Sequence, residues 1–575
     1  MKRVLVAMLA VLLLASGCSL LPTSGVVHRE ADAERVSPND TAQFAPPGPG
    51  KGDSPTQVVK GFLLAMTAVP LTTSVARSFL TADARPVWNP NRSTVVYQSS
   101  AIDLVPGGAR VTLGDAQHLD SRGGWLGGVG AGNGQLDLRL VRDDGEWRIA
   151  NPPDAVVVPE WYLDSRFAPV NLYFFDQTNR VLVPERIYLP RGEQRASTLV
   201  RALLAGPGDG LAEVTRTAFP PNTQLDLSVP VGPDGTAEVP LSEGVLGISR
   251  KRMTRLVAQL AWTLRQVPGL TRIRITSGDA PVALPDGRRD FSVQEGDAFA
   301  PTVRDASERL FGVDKGRIVA DRRGSTVPAP GPFGRPGYAL RSIAVSVTES
   351  RITAVADDGG TVFAWAPREG VRRIYEGTDV LRPPYDMFDG LWLVDRTGLG
   401  ARVLHRTGDQ VSPVEVPGVT GRDVRAFVVS RDGTRLVAVV ATPAGDRLMS
   451  SDLLRTDAGD LIRPTPAHRI AGLPDDLGRI VDLSWRSPND LAVLGRSPGV
   501  SQVAFVALDG SPGDPDQVQP DLWGGARATA VVGSPDGTLP VYLEVAGGRV
   551  VRLDTQGHWA PAGRVTGLRA PTYAG

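Results

Sequence analysis

The chain has 575 residues, of which 42% are hydrophobic, so it is long enough for three or four domains with substantial cores. Its 62 basic and 62 acidic side chains balance, which excludes a strong overall field toward nucleic acid or an anionic surface. A single cysteine excludes disulfides within the chain and sites built from several thiolates, so stability must come from packing.

The first 17 residues have the layout of a secretory signal peptide. Lys2 and Arg3 give a positive start, residues 4–14 are continuously apolar, and small residues then lead to the cysteine at position 18. The apolar run is too short to span a bilayer, which takes about 20 residues. The sequence therefore predicts export of the rest of the chain.

The end of this segment, Leu14-Ala15-Ser16-Gly17-Cys18, resembles the lipobox of bacterial lipoproteins. The resemblance implies cleavage before Cys18, a diacylglyceryl group on its thiol, and an acyl chain such as palmitate on its new amino group. It also implies that the chain is anchored on the extracytoplasmic face of the cell membrane, because two or more acyl chains give a stable anchor. Ala15 departs from the lipobox pattern, which prefers Leu at this position. The alternative is a plain signal peptide that is cut nearby and leaves the cysteine without lipid.

Residues 18–53 are predicted to carry the lipidated cysteine and a flexible tether. They are rich in Pro, Gly and polar residues and lack apolar periodicity. A flexible chain of this length spans roughly 35 Å on average. We therefore expect the folded domains to lie just above the membrane.

Residues 54–162 are predicted to form an α+β domain. Ser54 can cap a helix with Pro55 in its first turn, a second helix is expected at 73–80, and strands follow at 95–98, 110–113, 136–140 and 146–149. This order resembles cystatin-like or nuclear-transport-factor-like domains, which implies a cone with helices on one sheet face and often a pocket. The glycine-rich residues 123–130 lack the spacing of a dinucleotide site and predict a long mobile hairpin loop.

Residues 163–300 alternate strand and helix signals, as is typical of an α/β domain. Strands are expected at 170–176, 182–185, 225–229, 237–241 and 273–275, and a helix at 196–204. The polar residues 279–308 are expected to be a surface excursion. The strongest helix has one continuous apolar stripe, formed by Met253, Leu256, Val257, Leu260, Ala261 and Leu264.

Several short motifs of this region together resemble the GerMN domain, named from spore germination proteins. They are Leu172-Tyr173-Phe174, Val183-Pro184-Glu185, Leu203-Leu204-Ala205-Gly206-Pro207, Val239-Pro240-Leu241-Ser242 and Gln259-Leu260-Ala261-Trp262-Thr263-Leu264. The resemblance implies a non-catalytic binding module. Asp176 and Glu185 could be read as paired catalytic carboxylates, but both are expected beside solvated turns rather than in environments that separate their pKa values.

Residues 301–336 are predicted to be a linker with strands that close a following ring, at 310–313 and 318–320. Residues 337–575 repeat apolar strands every 40–55 residues or so, which predicts an all-β propeller of at least five blades. Three turns recur in similar form: Ser430-Arg431-Asp432-Gly433, Ser487-Pro488-Asn489-Asp490 and Ser534-Pro535-Asp536-Gly537. Their aspartates are interpreted as turn residues rather than metal ligands.

The succession of lipobox, α+β domain, GerMN domain and propeller resembles the LpqB family of actinobacterial lipoproteins. The resemblance implies an accessory protein of the MtrA/MtrB two-component system, which binds the extracellular domain of the sensor kinase MtrB and influences envelope and division responses. It implies neither catalysis nor a cofactor. The GerMN domain is the predicted docking site, since it is nearer the anchor in sequence, whereas the propeller loops are left for a further ligand or cell-wall component.

Two other function classes stay open. A solute- or cell-wall-binding lipoprotein could use the cone's pocket or the propeller's central channel. An envelope hydrolase is less favoured, because the chain has neither a His-Glu-x-x-His motif nor a Gly-x-Ser-x-Gly elbow. Its five histidines are scattered along the sequence: His28, His118, His405, His468 and His558.

Overall fold

The computed structural model describes residues 44–128, 134–192, 194–278, 280–322, 325–514 and 517–575. The signal peptide, Cys18 and most of the tether therefore lie outside the described residues. Phe44–Gly575 forms one compact unit. Its sheets belong to an N-terminal α+β domain, an α/β domain and a C-terminal propeller, which confirms the predicted fold class.

The N-terminal domain packs three helices against two four-stranded sheets, ordered β5-β4-β1-β8 and β2-β3-β6-β7. The elements are α1 Pro55–Ala65, α2 Ser74–Ser78, α3 Ala84–Val87, β1 Thr94–Tyr97, β2 Ser99–Val105, β3 Gly108–Gly114, β4 Gln117–Leu119, β5 Trp125–Gly128, β6 Gln135–Asp143, β7 Glu146–Ile149, β8 Val156–Pro159 and α4 Glu160–Arg166. The last of these helices leads into the next domain.

The first helix begins where the sequence predicted. The Ser54 hydroxyl accepts a hydrogen bond from the Gln57 amide, and the Gln57 side chain accepts one from the Ser54 amide, which together make a capping box. Val58, Val59 and Phe62 of this helix are fully buried. They occupy the interior of the cone, where the resemblance to cystatin-like domains had suggested a pocket.

The prediction of a mobile loop at 123–130 is wrong for residues 123–128, the part that the structure describes. Trp125–Gly128 is strand β5, and Gly124 makes a bridge with Ile187 of the following domain. Gly123 has a φ of 88°, and a Cβ atom there would clash with the Tyr188 carbonyl. The glycines therefore serve a close approach between two domains.

The second domain contains two small sheets, ordered β10-β9-β11 and β12-β13-β14, with β15 also paired to β13. Its elements are β9 Phe167–Asp176, β10 Leu182–Pro190, α5 Arg195–Leu204, α6 Asp209–Ala212, β11 Thr215–Arg216, β12 Thr236–Pro240, α7 Arg250–Leu264, β13 Arg272–Ser277, β14 Ala280–Pro281 and β15 Phe291–Ser292. Helix α7 is capped by Ser249, and all six residues of its predicted apolar stripe are buried.

Two predictions in this domain are wrong. The segment 225–229 forms only one bridge, from Leu225 to Leu241, and bends at Leu227. The ladder does not continue, because Pro230 and Pro240 have no N–H to donate. The polar segment 279–308 is not merely a surface excursion. Within it, Phe291 is fully buried in the core of the domain.

In the described residues, six sheets form the blades of the propeller, which fits the prediction of at least five. The strands are β16 Phe311–Asp314, β17 Arg317–Arg322, β18 Ser325–Pro328, β19 Leu340–Val345, β20 Ile352–Ala356, β21 Thr361–Ala366, β22 Gly370–Glu376, β23 Leu391–Thr397, β24 Gly400–Thr407, β25 Gln410–Pro413, β26 Val424–Val429, β27 Arg435–Thr442, β28 Gly445–Arg455, β29 Leu461–Pro464, β30 His468–Ile470, β31 Arg479–Ser487, β32 Asp490–Ser497, β33 Val500–Ala507, β34 Ala528–Val532, β35 Tyr542–Val545, β36 Arg549–Leu553, β37 Trp559–Pro561 and β38 Arg569–Thr572.

The ring closes between distant parts of the chain. Strand β38 pairs with β16, so blade 1 has the order β18-β17-β16-β38 and the predicted closing strands are present. Blades 2 to 6 begin at β19, β23, β26, β31 and β34. The Pro- and Gly-rich residues 328–336, predicted to be a linker, are instead packed into the propeller, since Phe333 is fully buried and Gly331 lies against the Trp365 ring.

Candidate functional site

The one site residue predicted from the sequence, Cys18, lies outside the described residues. No helix in the described part of the chain is long and apolar enough to cross a membrane. The structure does describe the two junctions between the domains, the propeller axis and a cleft between two blades. These are the places where a ligand or partner could act.

The two carboxylates considered as a catalytic pair both have structural partners. Asp176 is 2% exposed, not beside solvent as predicted, and it accepts hydrogen bonds from the amides of Arg180 and Val181 at 2.7 and 2.9 Å. Glu185 pairs with Arg122 at 2.8 Å. Each carboxylate is therefore engaged in holding a turn or a domain junction.

Arg122 joins the N-terminal domain to the GerMN-like domain. Its guanidinium contacts Asp120 at 2.7 Å, Glu185 at 2.8 Å and the Gly206 carbonyl at 2.8 Å. Burial alone would lower the pKa of Arg122, but its bonds to Glu185 and Asp120 outweigh burial and raise the pKa. Next to it, the Tyr188 amide donates to the Gly123 carbonyl at 2.8 Å. The junction is therefore fixed by both a charge network and a backbone bond.

Strand β10, which carries Glu185 of this junction, also contacts the propeller through the side chains of Arg186 and Tyr188. The Arg186 guanidinium contacts both carboxylate oxygens of Asp490, at 2.7 and 2.9 Å. The Tyr188 hydroxyl lies 2.9 Å from the Ser511 hydroxyl, and burial raises the pKa of Tyr188 to about 12. In addition, the Gln177 side chain accepts from the Arg455 amide at 2.7 Å. The second domain is thus clamped between the other two.

One of the recurring propeller turns also contacts the second domain. In the turn between β26 and β27, Asp432 accepts from the Ser430 hydroxyl at 2.5 Å and from the Thr434 amide at 2.8 Å, as a turn residue does. At the turn between β31 and β32, Asp490 forms an ion pair with Arg186 of the second domain. The turn at 487–490 therefore also contacts the neighbouring domain, which the sequence did not reveal.

The propeller axis leaves little room for a solute. Arg382 reaches Asp482 at 3.0 Å and the Leu483 carbonyl at 3.1 Å. Burial raises the pKa of Asp482, and the Arg382 guanidinium opposes this. The space between the innermost strands here is about 50 Å³, far below the roughly 300–1,000 Å³ of small-molecule sites.

A larger cleft of about 750 Å³ opens between blades 3 and 4, beside the turn that follows β9. Under it lies a buried cluster that no sequence motif indicated. Asp386, 0% exposed, accepts from Arg455 at 2.6 Å and from the Trp392 indole at 3.0 Å, and also from the Gly390 amide at 3.0 Å. The partners are up to 69 residues apart in sequence, and only the turn at Asp389-Gly390 gave a local signal.

His405 completes this cluster. Its ring stacks on Trp392 with 4.5 Å between ring centroids, and Nε2 lies 3.9 Å from an Asp386 carboxylate oxygen. Burial lowers the pKa of His405 to about 4, with Arg455 acting in the same direction and Asp386 against it. The imidazole is therefore neutral at pH 7.

The other histidines of the described chain do not join this cluster. His118 lies in β4, His468 in β30, and His558 just before β37, while His28 lies outside the described residues. Among the residues that the structure describes, no group of three or more His, Cys, Asp or Glu side chains is arranged to hold a metal ion.

Three family models match successive parts of the chain. They are "Lipoprotein LpqB, N-terminal domain" at residues 48–163, "Sporulation and spore germination" at residues 171–283, and "Lipoprotein LpqB beta-propeller domain" at residues 316–574. The matched regions follow the order of the three domains in the structure.

Curated relatives named "Lipoprotein LpqB" are similar over most of their length. The protein of Cutibacterium acnes is 28% identical and covers 89% of each chain. The protein of Thermobifida fusca is 27% identical, and the alignment covers 88% of this chain and 89% of the relative. The protein of Streptomyces coelicolor is 28% identical, and the alignment covers 98% of this chain and 96% of the relative. With the domain models in the same order, these full-length similarities show that the chain belongs to the LpqB lipoprotein family.

Proposed function

We propose that the chain is a lipid-anchored, extracytoplasmic binding protein that docks on the extracellular domain of the sensor kinase MtrB and modulates its signalling without catalysing a reaction. The resemblance to the LpqB family supplies the partner. Binding can shift a two-state sensor only by its differential affinity for the two states, typically about 1 to 3 kcal/mol. The expected effect is therefore graded modulation of signalling.

The observation that carries the proposal is the exposure of two large apolar side chains on the central domain. Leu227 is 80% exposed and Leu246 is 61% exposed, although the domain is held on both sides by its neighbours. Burying these side chains against a partner would be favourable, because apolar surface would be removed from water. These two leucines support the proposal that the GerMN-like domain is the docking site.

The test uses the intact chain, because separating the domains would expose the buried Arg186 and Tyr188. We expect immobilised MtrB ectodomain to capture the detergent-solubilised chain, and Leu227→Asp or Leu246→Asp to weaken capture at least about tenfold. Leu399→Asp is the matched control, since Leu399 is 94% exposed on a propeller hairpin. Loss of capture only in the Leu399 variant would move docking to the propeller. No capture by any form would favour the solute- or cell-wall-binding alternative.

Anchoring is tested separately. If Cys18 carries the lipid, Cys18→Ala should abolish acylation and leave the protein as uncut precursor or outside the membrane fraction. Metabolic labelling with a fatty acid, followed by fractionation and mass measurement of the amino terminus, reads out both steps. Recovery of the variant as processed, membrane-bound protein would refute lipidation at this residue.

A further inference from the structure

The cleft between blades 3 and 4 has the dimensions of a small-molecule site. Its walls come from β25 and β29, and Arg180 of the turn after β9 stands at one side. Its volume of about 750 Å³ lies within the roughly 300–1,000 Å³ usual for such sites. Neither Leu227 nor Leu246 lines the cleft, so sugar binding and kinase docking can be tested independently.

The floor of this cleft is preformed. Arg455 stacks on the Phe388 ring at 4.6 Å, and it also donates to the carbonyls of Gly433 and Gly459 at 2.9 and 2.8 Å. A Cβ atom at Gly459 would lie 2.7 Å from the Phe388 ring, so only glycine fits there. A floor held in this way needs no reorganisation to receive a ligand.

The walls carry polar groups that the protein itself does not use. Within the described residues, the side chains of Arg180, Gln410 and Ser412 make no ion pair or hydrogen bond, although all three line the cleft. The Arg180 guanidinium has only a distant contact with the Phe388 ring, at 6.0 Å. A guanidinium, an amide and a hydroxyl are therefore free to bind a polar ligand.

A buried group points to the same conclusion. His405 is 9% exposed and lines the cleft, and its Nε2 atom has no hydrogen-bond partner in the described structure. At Gly390 a Cβ atom would clash with Nε2 and with the Asp386 carboxylate, so only glycine fits beside the imidazole. A buried polar atom without a partner is costly unless a bound molecule or water satisfies it.

The charges in and beside the cleft are of both signs with no large excess of either, which decides the class of ligand. The lining contains three cations, Arg180, Arg455 and Arg463, and two anions, Glu415 and Asp460. Two of these cations are paired with anions outside the lining, Arg455 with Asp386 and Arg463 with Glu213. Such a lining gives no preference for an ionic ligand. It favours a neutral molecule with many hydrogen-bonding groups.

The apolar part of the wall completes the fit. Leu461 and Ile462 line the cleft, and Ile462 is 55% exposed. A sugar ring offers C–H faces to such residues and hydroxyls to the polar ones. An extended peptide is less suited, because Pro413 has no N–H to offer for strand pairing at β25.

We propose that this cleft binds a neutral oligosaccharide, with Arg180, Gln410 and Ser412 bonding its hydroxyls and Leu461 and Ile462 contacting its ring faces. The binding is non-covalent and needs no metal. It would give the chain a second contact in the cell envelope, in addition to the kinase.

The experiment titrates the detergent-solubilised full chain with chitotetraose and cellotetraose by calorimetry. We expect saturable binding of at least one of them, and at least about tenfold weaker binding in both Arg180→Ala and Gln410→Ala. The matched control is Arg552→Ala, which removes a guanidinium that lines a different groove. Unfolding temperatures measured alongside show that each variant is folded.

Three outcomes would overturn the proposal. They are the absence of saturable binding by either sugar, binding that both cleft variants leave unchanged, and tighter binding of the anionic oligosaccharide polygalacturonate or of tetra-alanine than of the neutral sugars. Protection of residues 407–415 and 459–464 from amide exchange on adding the sugar would place it in the cleft. Protection elsewhere would contradict the assignment.

Discussion

Replacing Arg455 with methionine should lower the free energy of unfolding by about 3 to 5 kcal/mol, because it leaves the Asp386 carboxylate buried without its counter-ion. The side chains of the pair are 4% and 0% exposed. The same guanidinium ties together two further carbonyls and the Phe388 ring, so methionine keeps the stem packing but none of these bonds. Denaturant titration of the purified chain measures the loss.

Two controls separate charge burial from simple loss of a side chain. The double variant Arg455→Met/Asp386→Asn should lose less stability than Arg455→Met alone, because no unpaired charge stays buried. Arg463→Met, at the rim of the same cleft, should change stability by no more than about 0.5 kcal/mol, since its pair with Glu213 is 52% and 62% exposed. Equal effects of Arg455→Met and Arg463→Met would contradict the argument.

Local sequence signals predicted much of the secondary structure. The apolar stripe centred on Leu260 predicted helix α7, and Ser54 with Pro55 predicted the start of α1. Both signals depend on residues within a few positions of each other. The period of the propeller strands likewise predicted blades, because every blade repeats the same local pattern.

Other features depend on contacts that a local pattern does not contain. The glycines at 123–128 resembled a loop, but Gly123 is required by the approach of Tyr188 from another domain. Residues 328–336 resembled a linker because they are rich in Pro and Gly, yet Phe333 among them is fully buried. Conversely, 225–229 has the alternation of a strand, but the two prolines beside it interrupt the ladder.

The candidate site was not predictable for the same reason. Asp386 and Arg455 are 69 residues apart, and Arg186 and Asp490 are 304 residues apart. An isolated Asp or Arg in a chain with 62 charges of each sign carries no signal of burial. Only the folded arrangement shows which of these charges are removed from water.

The junction between the central domain and the propeller gives the second large effect. Arg186→Leu should lower the free energy of unfolding by about 3 to 5 kcal/mol at pH 7.5, since it leaves Asp490 without its cation. The side chains of the pair are 10% and 11% exposed. The exposed pair Arg216–Asp457 lies on the rim of the same junction, with side chains 47% and 76% exposed. Arg216→Leu should therefore change stability by no more than about 0.5 kcal/mol.

The loss in Arg186→Leu should shrink on acidification. Burial raises the pKa of the neighbouring Asp509, and the Arg186 guanidinium opposes this. Without Arg186 the pKa of Asp509 rises further, so the folded variant binds a proton more readily than the unfolded chain. A group whose pKa is raised on folding adds stability at low pH and loses it as the pH rises through the folded-state pKa. Denaturant titrations at pH 5 and 7.5 should therefore show the smaller deficit at pH 5, and an equal or larger deficit at pH 5 would contradict the role assigned to Arg186.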